Sequence, residues 1–487
     1  MKKKLACIVL CMSLTAGLLT GCGGSGNSNV AGNAGAGDTA KESESAAGEE
    51  SSGDAEAPAQ SADGAASISF WKWIPTEGLQ IDTLMDAWKA ENPDINIEVT
   101  HVGESNAYFE KISAALPAGE GPTVIAMQVG ARANQFKEYL EPLDSYAAAE
   151  WGDDWESKFL DTAIEQCRFS ADENATYYVM PGGMTAVPII EYNAAAFEKL
   201  GIKEAPRTME DIYAVIEATK ADPDMIPGVA IGANQGWACR DIWMSIIQQI
   251  APGKIYEAEN GNASFTDPEF IESFEIWKEM WDNGFFADGS LGMALYPDVN
   301  DNYNMAADNG NKYFIMESNG TWHGSGLPAA TQEDNIANGM QSADLVRGMF
   351  TLPSVKEGTS PASVASVDIC WGINRNASEE EKQAAWKFIA WMSEGKGQEI
   401  WANTLQILPC DKDSSLDQAY ADIKNDYNKA ALELCEEIVA NASGAREMKY
   451  AEITNAINDG LVAIAADTMT IEEVAQTIQM ASESVSR

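Results

Sequence analysis

The chain has 487 residues, with 75 acidic side chains against 31 basic ones, and carries a formal charge of −44. A surface so acidic repels nucleic acid and anionic lipid headgroups and argues against both as partners. The length exceeds what one hydrophobic core ordinarily organises, so two lobes are expected.

The opening "MKKKLACIVLCMSLTAGLLTGCGG" sets Lys2, Lys3 and Lys4 before an apolar stretch, Leu5 to Leu19, that is short for a membrane span. It reads as a secretory signal over residues 1–21, outside fold reasoning. Its ending, Leu19-Thr20-Gly21-Cys22, resembles a bacterial lipobox, which implies lipidation of Cys22 and a location on the extracellular face of the cell membrane. Acyl chains there would anchor the protein at about 0.8 kcal/mol per buried methylene. Residues 22–66 are rich in Gly, Ala, Ser, Asp and Glu and contain no aromatic residue. They cannot bury enough apolar surface to offset ordering entropy and read as a disordered acidic tether, with a reach of roughly 35 to 40 Å as a flexible coil.

In "SISFWKW", Ile68 and Phe70 alternate with polar residues as in a strand. Ile81, Leu84, Met85 and Trp88 then fall at i, i+3, i+4 and i+7, predicting a helix that ends before Pro93. "INIEV" alternates again, completing a βαβ unit that implies a parallel sheet. Further on, "FTDPEFIESFEIWKEMWDNG" offers Asp267 as N-cap, Pro268 as first helical residue and Gly284 as the residue past the end. Ser378 to Glu381 makes a capping box before the stripe Ala385, Phe388, Ile389 and Met392, and Thr470 to Glu473 makes another. Residues 411–487 read as wholly helical. With Cys7 and Cys11 in the signal and Cys22 assigned to lipid, Cys167, Cys239, Cys370, Cys410 and Cys435 remain. An odd number without CxxC spacing points to buried small apolar residues, with room for one disulfide.

The series "LMDAWKAENPDINIEVTHVG", "YFEKISAALPAGEGPTVIAM", "LEPLDSY", "YYVMPGG", "IIEYNAAAFEKLGIKEAPRTMEDI", "FIMESNGTW" and "WGINRNASEEEKQAAWKFIAWMS" resembles, in sequence and in order, the extracellular solute-binding proteins that serve bacterial ABC sugar importers. The resemblance implies an α/β, two-lobed periplasmic-binding-protein-like fold with crossing hinge segments and a helical C-terminal region. Its expected division is lobe 1 over 67–184, lobe 2 over 185–366, a return to lobe 1 over 367–410, and C-terminal helices over 411–487. It also implies a monomeric, non-enzymatic receptor without cofactor. Such a receptor closes on a carbohydrate, an oligosaccharide in this reading, and delivers it to the permease subunits of an importer.

Fourteen tryptophans are present, and those on helical stripes, such as Trp88, Trp277, Trp281, Trp386 and Trp391, read as core. Trp71, Trp73, Trp237, Trp322 and Trp371 fall instead at strand ends or in loops, where an indole can offer a rigid apolar face to the C–H side of a pyranose. Trp322 lies in the glycine-rich "ESNGTWHGSG", and its Gly320-Thr321-Trp322 matches a Gly-x-Trp segment of the family. Glu104, Gln128, Arg240, Asp241, Asn319, His323 and Asp368 flank these positions and are candidates for hydrogen bonds to sugar hydroxyls.

Competing chemistries find less support. His101 is the one other histidine, and neither it nor His323 has Cys or carboxylates at local ligand spacing, so zinc and a Ser-His-Asp hydrolase are not expected. Asp298-x-Asn300-x-Asn302 lacks the glycine and glutamate of a calcium loop and reads as an Asx-rich turn. A glycoside hydrolase needs only two suitably spaced carboxylates and stays open. So do a polyamine, peptide or other polar solute as ligand, and a ligand-presenting sensor of the same fold. No GxxxxGK[ST] loop occurs, so an ATPase would be a separate chain.

Overall fold

The computed structural model describes residues 66–76, 78–103, 105–169, 175–305 and 310–487. The signal, Cys22, the rest of the tether as far as residue 65, and Glu104 lie outside the described residues, while Ala66, the expected end of the tether, opens the first strand.

The chain begins as the alternation predicts: strand β1 (Ala66–Lys72) turns Ile68 and Phe70 inward, helix α1 (Leu79–Glu91) buries Ile81, Leu84 and Trp88, and β2 (Ile95–His101) returns parallel to β1. Helix α2 (Ser105–Ala118) leads to β3 (Val124–Met127), also parallel to β1. After β4 (Met180–Val187), Pro188 supplies no N–H to a ladder, and β5 (Ile189–Asn193) joins a different sheet.

The second half is built on α3 (Gly236–Ile250), α4 (Pro268–Asp282) and the strands β6 (Met225–Ile226), β7 (Tyr313–Phe314), β8 (Met316–Asn319) and β9 (Arg347–Phe350). Helix α4 starts at Pro268 and is followed by Gly284 at φ +71°. Asp267 holds the N-cap position, but its carboxylate accepts from the Ser264 N–H and pairs with Lys254 instead of bonding the first turn. β10 (Val364–Ile373) then re-enters the first sheet, followed by α5 (Glu379–Ser393), α6 (Asp426–Ala440), α7 (Ala451–Ala465) and α8 (Ile471–Ser484). Both predicted capping boxes form, Ser378 with Glu381 and Thr470 with Glu473.

Two sheets anchor two cores. The first has the order β2-β1-β3-β10-β4, the second β8-β5-β9, and β6 pairs β7 apart from both. Parallel pairing covers only part of the first sheet. β10 runs antiparallel to β3 and β4 because it arrives from the other lobe, and the second sheet is antiparallel throughout. The first core gathers Phe70, Trp88, Trp371, Phe388 and Trp401, and the second Trp243, Phe270, Phe274 and Trp277. In the second, Trp243 lies flat on Phe274 with ring centroids 5.1 Å apart. Each such buried ring contributes about 1.5–3 kcal/mol. All five described cysteines are buried and unpaired, with burial pushing every thiol pKa upward.

The C-terminal stretch departs from the helical reading at residues 411–416, 423–425 and 466–470, and most at 441–450, a bent non-helical segment that runs between α6 on the first core and α7 on the second. There the chain crosses a third time. Val187 pairs with Val364 and Ala365 bridges Ala445, so the three crossings lie side by side. Ala365 N–H donates to Gly444 O at 3.0 Å and Ala131 N–H to Met448 O at 2.8 Å, fixing the third crossing against β10 and the end of β3.

Candidate ligand-binding site

Arg446, on that third crossing, is the centre of the site. Its Nε and one terminal nitrogen donate to the two oxygens of Asp241 on α3, both at 2.9 Å. Its other terminal nitrogen lies 3.1 Å from Glu447 and 3.5 Å from Asp368 on β10. Asp368 also accepts from Gln128 Nε2 at 2.7 Å, just past the C-terminal end of β3. One guanidinium thus joins a carboxylate of the second core to one of the first. Burial by itself would lower the pKa of Arg446, but Asp241, Glu447 and Asp368 outweigh it and hold the pKa raised. Burial raises the pKa of Asp368 despite the neighbouring Arg446.

Two indoles flank the guanidinium. Its carbon lies 5.2 Å from the Trp322 ring centroid and 5.8 Å from that of Trp237, at the start of α3. The two rings sit 6.4 Å apart, tilted by 59°, and both are only partly buried. Trp322 is held at its edge, donating from Nε1 to Tyr296 Oη at 2.8 Å. Arg240, buried beside Asp241, points toward Glu447 at 3.6 Å. Arg132 is near enough for Glu447 and Arg240 to act on it, burial lowering its pKa.

Behind Tyr296 lies a second polar group. His323 Nε2 is 2.9 Å from Tyr296 Oη, 2.9 Å from Asn319 Nδ2 and 3.2 Å from Asn300 Nδ2. His323 Nδ1 is 2.9 Å from Glu191 and 3.3 Å from Glu317, both fully buried. Arg347 donates to the other Glu191 oxygen at 2.7 Å. Burial would lower the His323 pKa, but Glu191 and Glu317 raise it to about 9. The carboxylates diverge: burial raises Glu317, whereas His323 and Arg347 overcome burial at Glu191 and lower it.

The structure therefore brings together Gln128, Trp237, Arg240, Asp241, Asn319, Trp322, His323 and Asp368. It leaves others out. Trp371 is 1% exposed, edge-on to Phe70 in the first core, with Gly182 against its Nε1, and the reading of it as a cleft aromatic is corrected. Trp73 is likewise corrected, being packed on Tyr108 and Phe109 at 4.9 and 5.3 Å. Trp71 is partly buried, its ring covered by the Lys111 ammonium at 4.0 Å. The Asx-rich turn reading is corrected, since Leu295–Val299 and Asn300–Asn304 are helical, with Asp298 accepting from Ala294 N–H and Asn302 from Phe314 N–H.

Sequence reasoning missed Arg446, Glu447, Tyr296, Glu191 and Glu317. Ser443-Gly444 was a legible break in "NASGAREMKY" and signalled that Arg446 stands outside a helix. Glu191 and Glu317 gave no signal, because the contact depends on strand pairing across more than a hundred residues.

Two α/β lobes joined by three adjacent crossings, with aromatic and hydrogen-bonding side chains meeting between them, define a two-lobed solute-binding protein. The model of the bacterial extracellular solute-binding protein family matches residues 72–399, more than half of the chain, and the chain belongs to that family. Among curated relatives, the sn-glycerol-3-phosphate-binding periplasmic protein UgpB of Escherichia coli O1:K1 is 25% identical over 240 residues, 47% of this chain and 52% of that one. The protein of that name from Shigella dysenteriae is 24% identical over 238 residues. The chain spans about half the length of these relatives. Solved structures share the fold over nearly their whole length. A chitin oligosaccharide binding protein superposes with TM-score 0.68 at 18% identity, covering 86% of this chain and 98% of that one. Maltose-bound MalE3 of T. maritima superposes with TM-score 0.66 at 18% identity, covering 86% and 99%.

Proposed function

We propose that this chain is the solute-capturing subunit of a bacterial ABC importer, and that it takes a neutral carbohydrate of more than one sugar unit. The observation that carries this reading is the pair of partly exposed indoles, Trp322 and Trp237, set around a guanidinium already neutralised by carboxylates. Indole faces suit the C–H surface of sugar rings, and the surrounding amide, carboxylate and hydroxyl groups suit their hydroxyls. Solved neighbours described as binding chitin oligosaccharide, maltose and cycloalternan support the class.

In this reading the empty receptor flexes about the three crossings, and ligand spanning the lobes supplies the differential stabilisation that closes it. A permease can then distinguish loaded from empty receptor by shape. Cys22 carries the lipid anchor, and the 22–66 tether lets the lobes move over the membrane surface. Replacing Cys22 with Ser should release the protein into the medium, as read by cell fractionation.

A phosphorylated polyol is the second reading. The arginines Arg132, Arg240 and Arg446 and the likeness to glycerol-3-phosphate-binding proteins favour it. Against it, a phosphate dianion would have to displace Asp241 from its two bonds to Arg446, exposing a buried carboxylate to a second anion.

Calorimetric titration and thermal unfolding against malto-, xylo- and chito-oligosaccharides, monosaccharides and glycerol 3-phosphate decide between them. An oligosaccharide at a hundred times its Kd stabilises by about 2.7 kcal/mol. Trp322→Ala should weaken that binding at least about tenfold, roughly the 1.4 kcal/mol expected from losing one aromatic face, while leaving the fold intact. Stabilisation by glycerol 3-phosphate alone would overturn the carbohydrate reading.

A further inference from the structure

We propose that Glu191, Glu317 and His323 form a binding site for one divalent transition-metal ion, Zn2+ being the first candidate. The site lies behind the ligand-facing surface and does not depend on which solute the cleft takes.

The argument begins with strand register. Glu191 on β5 stands directly opposite Glu317 on β8, and both side chains are fully buried. Like charges directly opposite one another in a sheet are destabilising, and burial deepens the cost. Arg347, the permanent cation among the described residues of this cluster, bonds Glu191 Oε2 at 2.7 Å. Glu317 Oε2 is buried without a hydrogen-bond partner. Positive charge to answer Glu317 comes from the side where His323 points, 3.3 Å away, either as a proton on that ring or as a bound ion.

The donors are spaced for a metal. One ligating atom from each of the three residues lies within 4.8 Å of the others. Nδ1 of His323 is 2.9 Å from Glu191 Oε1 and 3.3 Å from Glu317 Oε1. A tetrahedral zinc with bonds of about 2.0–2.1 Å needs donor–donor edges of about 3.3–3.4 Å, which the two edges at Nδ1 approach, while the Glu191–Glu317 edge, within 4.8 Å, would adjust onto the ion. Imidazole with two carboxylates is a donor set that Zn2+ accepts.

Outer partners are in place as well. Arg347 would hold the free oxygen of a ligating Glu191, and Tyr296 Oη would accept from Nε2–H of a ligating His323. In the metal-free protein the Asn319 and Asn300 amide nitrogens face Nε2, and Nδ1 carries the hydrogen toward Glu191. Loading puts the ion in place of the Nδ1 proton: from the imidazolium that proton leaves to solvent and Nε2–H stays, and from the neutral ring it shifts to Nε2. The competing occupant is a proton, with His323 as an imidazolium bridging the two carboxylates.

The test uses the folded receptor dialysed against chelator, without sugar, titrated with Zn2+ at pH 7.5 by calorimetry and counted by elemental analysis. One equivalent per chain is expected, with a raised thermal midpoint. Glu317→Gln and His323→Gln should each weaken binding by more than the roughly tenfold to hundredfold lost with outer-shell partners. Because the chain has two histidines, 15N-histidine labelling reads the ring directly in the wild-type protein even if a variant fails to fold. Zn2+ should move the His323 signals to the Nε2–H form and leave those of His101 in place. Absence of saturable Zn2+ binding, binding that survives both substitutions, or a His323 ring that stays protonated on both nitrogens with Zn2+ present would overturn the site.

Discussion

Arg446→Met deletes the charge that joins the two cores. Asp241 and Arg446 side chains are each 6% exposed, so the substitution leaves a carboxylate buried without its bidentate partner. Breaking a buried pair from one side costs about 3–5 kcal/mol. Arg240, 4.0 Å from Asp241, compensates part of the loss, and Asp368 retains Gln128, so the lower end near 3 kcal/mol applies. For a lobe of roughly 200 residues, with unfolding entropy near 2.1 cal/mol/K per residue, each kcal/mol moves the midpoint by about 2.4 °C. The ligand-free variant should therefore melt about 7 °C below wild type by scanning calorimetry. The mechanism makes a sharper demand: Asp241→Asn combined with Arg446→Met should be less destabilised than Arg446→Met alone, because the unpaired carboxylate has gone. A double variant as unstable as the sum of the single ones would refute the ascription of the cost to a stranded charge.

Trp371→Phe should lower the melting temperature while leaving ligand Kd unchanged in titration, since the indole belongs to the first core. Gly130→Ala should destabilise by at least about 1–2 kcal/mol in denaturant unfolding, because φ is +72° and an added Cβ would meet Met448 O at 2.5 Å. Glu259, whose carboxyl pKa is raised by burial, keeps its proton in the native state to higher pH than in the unfolded chain. Stability from it is thus fully present below the unfolded value and is lost as pH rises through the raised folded one. Glu259→Gln, which keeps an acceptor for Lys449 N–H, should flatten the fall in melting temperature from about pH 4.5 upward.

Local patterns carried far where period and punctuation agreed. The β1-α1-β2 unit was legible because its alternation switches cleanly between two and 3.6 residues, and Pro268 with Gly284 bracketed α4. Trp371 was misread for a physical reason: every residue of β10 is buried, so its sequence does not alternate and cannot show which face looks outward. The helical reading of 441–450 failed because it passed over the Ser443-Gly444 break, and hydrogen bonds to β10 and to the residues after β3 hold the segment out of a helix. Trp322 and His323 were legible as loop residues of interest. What His323 faces was not, because Glu191 and Glu317 meet it only after β5 and β8 pair.

The five described thiols, none of them in a disulfide, turn the native state into its own reporter. Buried sulfhydryls with elevated pKa offer almost no thiolate to an alkylating reagent or to a mixed disulfide, so the folded receptor stays inert in oxidising surroundings. Any opening of either core releases that protection, since Cys239 packs in the second core and Cys167, Cys370, Cys410 and Cys435 in the first. Labelling rates at these sites would separate the breathing of the two lobes, and chains that fail to fold would crosslink to one another before folded ones react.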